Sequence, residues 1–160
     1  KKYFDRSVIF RPHNVYGPNM GWEHVIPNFI TKINQNIINN NSNYVNLEIQ
    51  GDGTETRAFI YIDDFIDGLI KVYDRANNLE IYNIGTNEEI SIEDLAKKVG
   101  FYFNKKIKIL PGEIQKGSTK RRCPDIKKLK SLGFLPKFSL DEGIKNTSEW
   151  YVNNNYKKEI

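Results

Sequence analysis

The chain is poor in the residues that staple, tether or metallate a protein. Its one cysteine, Cys123, excludes an internal disulfide and any metal site built from several thiolates. With His13 and His24 its only histidines, a histidine-rich metal centre is excluded too. No apolar run approaches the roughly 18 residues of a membrane span, and Lys1-Lys2-Tyr3-Phe4-Asp5 lacks the apolar centre of a signal peptide. A lone thiol without either segment points to the reducing cytoplasm. No repeat period is visible, which excludes a solenoid. The balance of 24 Lys and Arg against 20 Asp and Glu leaves a net charge of +4, mild enough to favour anions without demanding nucleic acid.

What is present is enough for one domain with a core, in 160 residues. A strand is expected at Ser7-Val8-Ile9-Phe10, delivering Arg11-Pro12-His13-Asn14-Val15-Tyr16-Gly17-Pro18 as a loop at its C-terminal end. Open α/β sheets bind ligands at that end. Between Trp22 and Ile38, Val25, Ile26, Phe29, Ile30, Ile33 and Ile37 recur at helical spacing, and an Asn-rich loop follows. Residues 45–49 read as a strand closed by the turn Gly51-Asp52-Gly53, and residues 57–62 as another. Asp63 or Asp64 is expected to cap a helix whose apolar positions are Phe65, Leu69, Ile70, Val72 and Tyr73. A strand at residues 80–84 ends in Gly85; Ser91 and Ser139 cap two later helices. Residues 106–110 suit a strand, residues 111–122 an extended basic stretch, and residues 125–132 a short helix.

Several blocks stand in a telling order: Arg11 to Met20, Gly51-Asp52-Gly53 with Arg57-Ala58-Phe59-Ile60-Tyr61-Ile62-Asp63-Asp64, Tyr82-Asn83-Ile84-Gly85, Arg121-Arg122-Cys123-Pro124-Asp125-Ile126, Leu132-Gly133-Phe134-Leu135-Pro136, and Ser139 to Gly143. Together they resemble the C-terminal half of the extended short-chain dehydrogenase/reductase family. Its NAD-dependent nucleotide-sugar epimerases and dehydratases are typified by UDP-galactose 4-epimerase and UDP-glucuronate decarboxylase. The resemblance implies an α/β fold: the C-terminal part of a Rossmann-type parallel sheet, with late strands near residues 7–11 and 80–84. A small α+β substrate-binding cap would occupy about 21–60 and 86–155.

A diphosphate needs fixed donors, preferably an arginine fork and N–H groups at a helix start. The resemblance gives that role to Asn14 and Arg57, with the opening of the first helix, His24 and Val25, approaching the phosphates. Leu47, Glu48 and Gln50 would lie along the base, and Pro12 and His13 near the nicotinamide. The epimerase's phosphate arginine falls on Gln115; Arg121 or Arg122 can stand in for it, and which of them does so is left open. For each residue the plain alternative is structural: a turn amide, a surface ion pair, an ordinary edge strand.

The chain has no GxGxxG or GxxGxxG turn for NAD or NADP. The only Tyr-x-x-x-Lys, Tyr102 with Lys106, lies far downstream of where the family places its acid/base pair and reads as coincidence. The expectation is a nucleotide-sugar-binding part, a UDP-sugar first among substrates, that lacks its N-terminal Rossmann half, binds no cofactor tightly and has no catalytic residue of its own. The intact parent would be a homodimer. Two rivals are a stand-alone nucleotide-sugar binding module and a nucleic-acid binder using residues 116–130, a run without the aromatic platforms such binders use.

Overall fold

The computed structural model describes residues 3–39, 42–114 and 117–154. In chain order its elements are β1 (Ile9–Pro12), β2 (Val15–Tyr16), α1 (Val25–Asn39), β3 (Tyr44–Gln50), β4 (Thr56–Ala58), β5 (Ile60–Tyr61), α2 (Ile62–Arg75), β6 (Ile81–Ile84), β7 (Glu89–Ser91), α3 (Ile92–Tyr102), β8 (Lys106–Gly112), β9 (Arg121–Arg122), α4 (Lys127–Ser131) and α5 (Leu140–Asn153). Alternating strands and helices with parallel pairing make this the expected α/β fold.

β1 and β6 pair in parallel, Ile9 opposite Ile81 and Pro12 opposite Ile84. Ile60, Val72, Tyr82, Ile84, Leu129 and Phe134 form a core on one face of this pair, closed by α2 and α4. A second core joins α1, α3 and α5 to one face of β3, through Ile26, Ile30, Ile33, Val45, Leu47, Leu95, Val99 and Ile144. Each such fully buried aliphatic side chain contributes about 1.5–3 kcal/mol relative to an exposed one. Gly143 is glycine because α5 closes on Tyr16: an added Cβ would meet the Tyr16 hydroxyl at 2.0 Å.

The caps at Ser91 and Ser139 form as expected. Each side chain accepts from the third residue of its helix, Asp94 or Glu142, and Glu142 completes the reciprocal capping box. Three local expectations are corrected. The strand expected over 57–62 is broken at Phe59, because β4 lies between β7 and β9 whereas β5 leaves that sheet to pair with β2. Neither Asp63 nor Asp64 caps α2, which starts from Tyr61 with no side-chain cap. Asp64 is instead buried at 2% exposure, and accepts from the backbone N–H groups of Lys137 (2.9 Å) and Phe138 (3.1 Å). The carboxylate thus ties α2 to the loop that enters α5. Finally, Ile70 and Tyr73 on α2 are 53% and 75% exposed, since the apolar face of α2 against β6 is only as wide as Phe65, Leu69 and Val72. Among the described residues no helix is long and apolar enough to cross a membrane.

Removing the Asp64 carboxylate strands two part-buried donors. Asp64→Ala should lower stability by about 2–4 kcal/mol and Asp64→Asn, which keeps one acceptor, by about half that. A urea titration checks this, with the midpoint falling and the slope unchanged.

Candidate functional site

The loop after β1 is fixed by its own backbone. His13 continues the ladder by donating to the Ile84 carbonyl at 3.0 Å. Asn14 then turns left-handed, at φ 43°, a conformation asparagine tolerates better than most residues. From there its carbonyl accepts from the Ile60 N–H at 3.2 Å and its amide Nδ2 donates to the Ala58 carbonyl at 2.7 Å. Asn14 is thereby held one residue from Arg57, with the second hydrogen of its amide still to place.

Arg57 occupies the centre of the β7-β4-β9 sheet. It donates to the Thr56 carbonyl at 2.8 Å and more weakly to that of Lys120 at 3.4 Å. Its register partner on β9 is Arg122, so the two guanidiniums stand on the same face of adjacent strands. Burial first, then the charge of Arg122, pushes the Arg57 pKa below the usual guanidinium range, while Glu55 offsets part of this.

Arg121 stands on the opposite face, paired in register with Thr56. Its Nε and Nη2 grip Glu89 at 2.9 and 2.5 Å, and the Thr56 hydroxyl donates to the same carboxylate at 3.0 Å. Hydrogen bonding to Arg121 holds the Glu89 carboxyl below its ordinary range. The structure therefore brings Arg57 and Arg122 together, and leaves Arg121 to Glu89.

α1 opens at Val25 with no acidic side chain in its first turn. The His24 N–H is spent on the Gly21 carbonyl at 3.2 Å, so the donors left at this end are those of Val25 and Ile26. Along β3 the side chains alternate, with Leu47 in the core at 1% exposure and Glu48 and Gln50 outside. The Lys106 N–H donates to the Asn43 carbonyl at 3.0 Å, which sets the parallel ladder: odd-numbered β3 residues face β8. Glu48 and Gln50 thus turn their backbone groups to the other edge, against which no strand lies among the described residues. Leu47 has neither side chain nor backbone free there.

Pro12 and His13 stand at the C-terminal end of β1, against Gly85 and Pro124; a Cβ on Gly85 would meet the His13 Cβ at 3.0 Å. The His13 Nε2 is buried without a hydrogen-bond partner. These residues alone do not fit a dinucleotide, which needs a glycine turn opening a helix; Gly51 and Gly53 open a strand. The Lys106 ammonium lies over the Tyr44 ring at 5.6 Å, and burial raises the Tyr102 pKa, the wrong direction for a base at neutral pH. Among the described residues no group of His, Cys, Asp and Glu could hold a metal ion. In the basic stretch Arg121 pairs with Glu89, Lys127 with Asp125 and Lys128 with Glu80. Gln115 and Lys116 lie outside the described residues.

Sequence reasoning missed Glu89, whose approach to Arg121 depends on strand pairing between distant segments. It also missed Lys32, whose ammonium donates to the Glu48 carbonyl at 2.9 Å; a lysine at a polar helical position carries no mark of this.

The model of the NAD dependent epimerase/dehydratase family matches residues 1–85. A GDP-L-fucose synthase of Arabidopsis thaliana is 33% identical over 152 residues, which cover 92% of this chain and 46% of that protein. The dTDP-D-glucose 4,6-dehydratase of Mus musculus is 36% identical, with 96% and 43% covered. Among solved structures, a UDP-glucuronic acid 4-epimerase of Bacillus cereus, in complex with UDP-glucuronic acid and NAD, superposes with a TM-score of 0.80 at 29% identity over 91% of this chain and 45% of that one. The chain spans about half the length of the curated relatives it matches.

The two arginines of β9 should part company in the ligand-free chain. Arg121→Gln breaks the grip on Glu89 and lowers the urea midpoint. Arg122→Gln relieves a like-charge contact across strands and leaves the midpoint unchanged or higher.

Proposed function

The chain belongs to the NAD-dependent epimerase/dehydratase family, and from that premise we propose that it is the nucleotide-sugar-binding part of such an enzyme. The observation that carries this reading is the pair Arg57 and Arg122, side by side on one face of neighbouring strands. Like charges opposite one another cost stability. A diphosphate lying across both turns that cost into charge-assisted hydrogen bonds. Asn14 adds its remaining amide hydrogen, and the N–H groups of Val25 and Ile26 add the positive end of a helix that has no carboxylate in its first turn.

The parent reaction begins with hydride transfer from the hexose to NAD or NADP. Epimerisation, dehydration or decarboxylation of the sugar then follows. No residue of this chain is assigned to a chemical step. The glycine-rich cofactor turn and the acid/base tyrosine would come from a dinucleotide-binding half outside these 160 residues, and Pro12 and His13 would stand on the nicotinamide side of the present chain. The bare flank of β1 supports that division. Ile9 and Ile81 are exposed on the uncovered face of the β1–β6 pair, and one edge of β1 has no partner strand among the described residues. Parallel pairs are ordinarily covered on both faces. The intact enzyme is a cytoplasmic homodimer. Its substrate is a nucleoside diphosphate sugar; UDP-, dTDP- and GDP-linked sugars all appear in the names of its relatives, so family membership alone leaves the base open.

Calorimetry with UDP and GDP tests the diphosphate grip. Arg57→Ala and Arg122→Ala should each weaken both ligands about tenfold or more, as loss of a charge-assisted bond does. Arg121→Ala should leave both within about twofold, since its guanidinium is already committed to Glu89. Failure of the unaltered chain to bind either nucleotide, or full affinity in Arg57→Ala, would overturn the reading.

A further inference from the structure

A carboxylate without a partner lines an aromatic cavity. The cavity, about 80 Å³, opens where the loop after β6 meets the loop that enters α5. Tyr16, Phe59, Tyr61 and Phe138 line it, and Glu88 is its one charged residue. Neither Asn14, Arg57, Arg122 nor the start of α1 takes part, so the diphosphate grip leaves this space unused. On the same measure one water needs roughly 10–15 Å³, so there is room for several waters or for one compact ligand group.

The walls are inclined to one another. The Tyr16 ring meets Phe59 at 6.2 Å and 88° and Tyr61 at 5.6 Å and 67°, while Tyr61 meets Phe138 at 4.7 Å and 43°. Rings set at such angles form a corner, which suits a rounded guest better than a flat one. No lysine or arginine lines the cavity, although the chain carries 24 of them. The Tyr61 hydroxyl, in a residue only 6% exposed, makes no hydrogen bond among the described residues. Burial first, and then Tyr61, Asp64, Asp141 and Glu88, push the Tyr16 phenol above its ordinary range, which records a field set by carboxylates. Asp64 and Asp141 have partners of their own, the N–H groups of Lys137 and Phe138 and the Lys98 ammonium. Glu88 has no ion pair or hydrogen bond among the described residues.

We propose that this cavity binds a compact organic cation, a methylated ammonium group, whose methyl groups meet the aromatic rings while Glu88 answers its charge. A metal ion does not suit it, since one carboxylate falls far short of the oxygen shell of about six that a hard cation takes. A neutral guest of the same bulk would leave Glu88 unanswered, and a primary ammonium is too strongly hydrated to enter an aromatic corner readily. Free choline and a methylated lysine side chain share the head group that fits. The site stands or falls apart from the nucleotide-sugar reading.

A chemical-shift titration of the whole chain tests this with three probes: choline, N-acetyl-trimethyllysine amide, and 3,3-dimethylbutan-1-ol, the uncharged carbon isostere of choline. At least one of the two cations should move the amides of Thr86, Glu88 and Phe138 and bind about tenfold tighter than the alcohol; the tighter of the two names the source of the cation. Glu88→Gln, an exposed change, and Phe138→Leu, which keeps apolar bulk but removes a ring, should each weaken that cation about threefold. Equal affinity for cation and alcohol, shifts confined to other parts of the chain, no saturable shift with either cation, or full affinity in Glu88→Gln overturns the inference.

Discussion

The site depends on a clamp two hydrogen bonds wide. Asn14 gives its amide to Ala58 and takes the N–H of Ile60, and both bonds need the left-handed turn at Asn14 itself. They bind the loop leaving β1 to the segment where β4 gives way to β5. That segment changes sheets at Phe59: upstream of it Arg57 is locked between β7 and β9, and downstream Ile60 and Tyr61 pair with β2. Without the clamp Phe59 would keep the Thr86 hydroxyl on its carbonyl at 2.9 Å, but the guanidinium would lose its direct tie to the loop that leaves the strand ending at Pro12. A side chain that serves the fold with one hydrogen and a ligand with the other is cheaper to preorganise than a free one, because its rotamer is already fixed.

The same economy governs the arginines. A buried or half-buried guanidinium left beside another is a cost, and most proteins remove it by placing a carboxylate nearby. On one face of the β7-β4-β9 sheet that has happened: Glu89 takes Arg121, and Thr56 completes the set. On the other face Arg57 has backbone carbonyls and the partial influence of Glu55, and Arg122 adds to its discomfort. Two arginines adjacent in sequence therefore differ in role by the parity of a strand alone, since successive residues face opposite ways.

That parity explains what the sequence could tell and what it could not. Periodic apolar residues placed α1, and the serines at 91 and 139 placed the starts of α3 and α5, because these signals act over one or two turns of chain. The Gly51-Asp52-Gly53 turn was equally legible, with both glycines at positive φ. The ordered blocks also identified the family. Which of Arg121 and Arg122 meets Arg57 was not legible, because it depends on the register of β9 against β4, two segments some 60 residues apart that share no local pattern. Asp64 misled for a related reason. Its position before an apolar run is that of a cap, but the donors it serves belong to Lys137 and Phe138, and nothing near it in the chain announces them. Ile70 and Tyr73 misled differently: helical spacing says which residues share a face of α2, not how much of that face the chain itself covers.

The uncovered apolar surface bears on how the two halves of such an enzyme divide the work. The β1–β6 pair is covered by α2 and α4 on one face and exposes Ile9 and Ile81 on the other, while α2 shows a second stripe of Ile66, Ile70 and Tyr73 to solvent. Neither set is covered by other described residues. The cap, by contrast, closes its own core around α1, α3, α5 and β3, and every residue proposed to grip phosphate stands on the cap or on the strand segments that lead into it. In the function proposed above, the residues that would grip the substrate belong to the self-contained core, whereas the end of β1 at Pro12 and His13 belongs to the incomplete one. On that proposal, a sugar nucleotide held by the first core would reach the chemistry only once the second is covered.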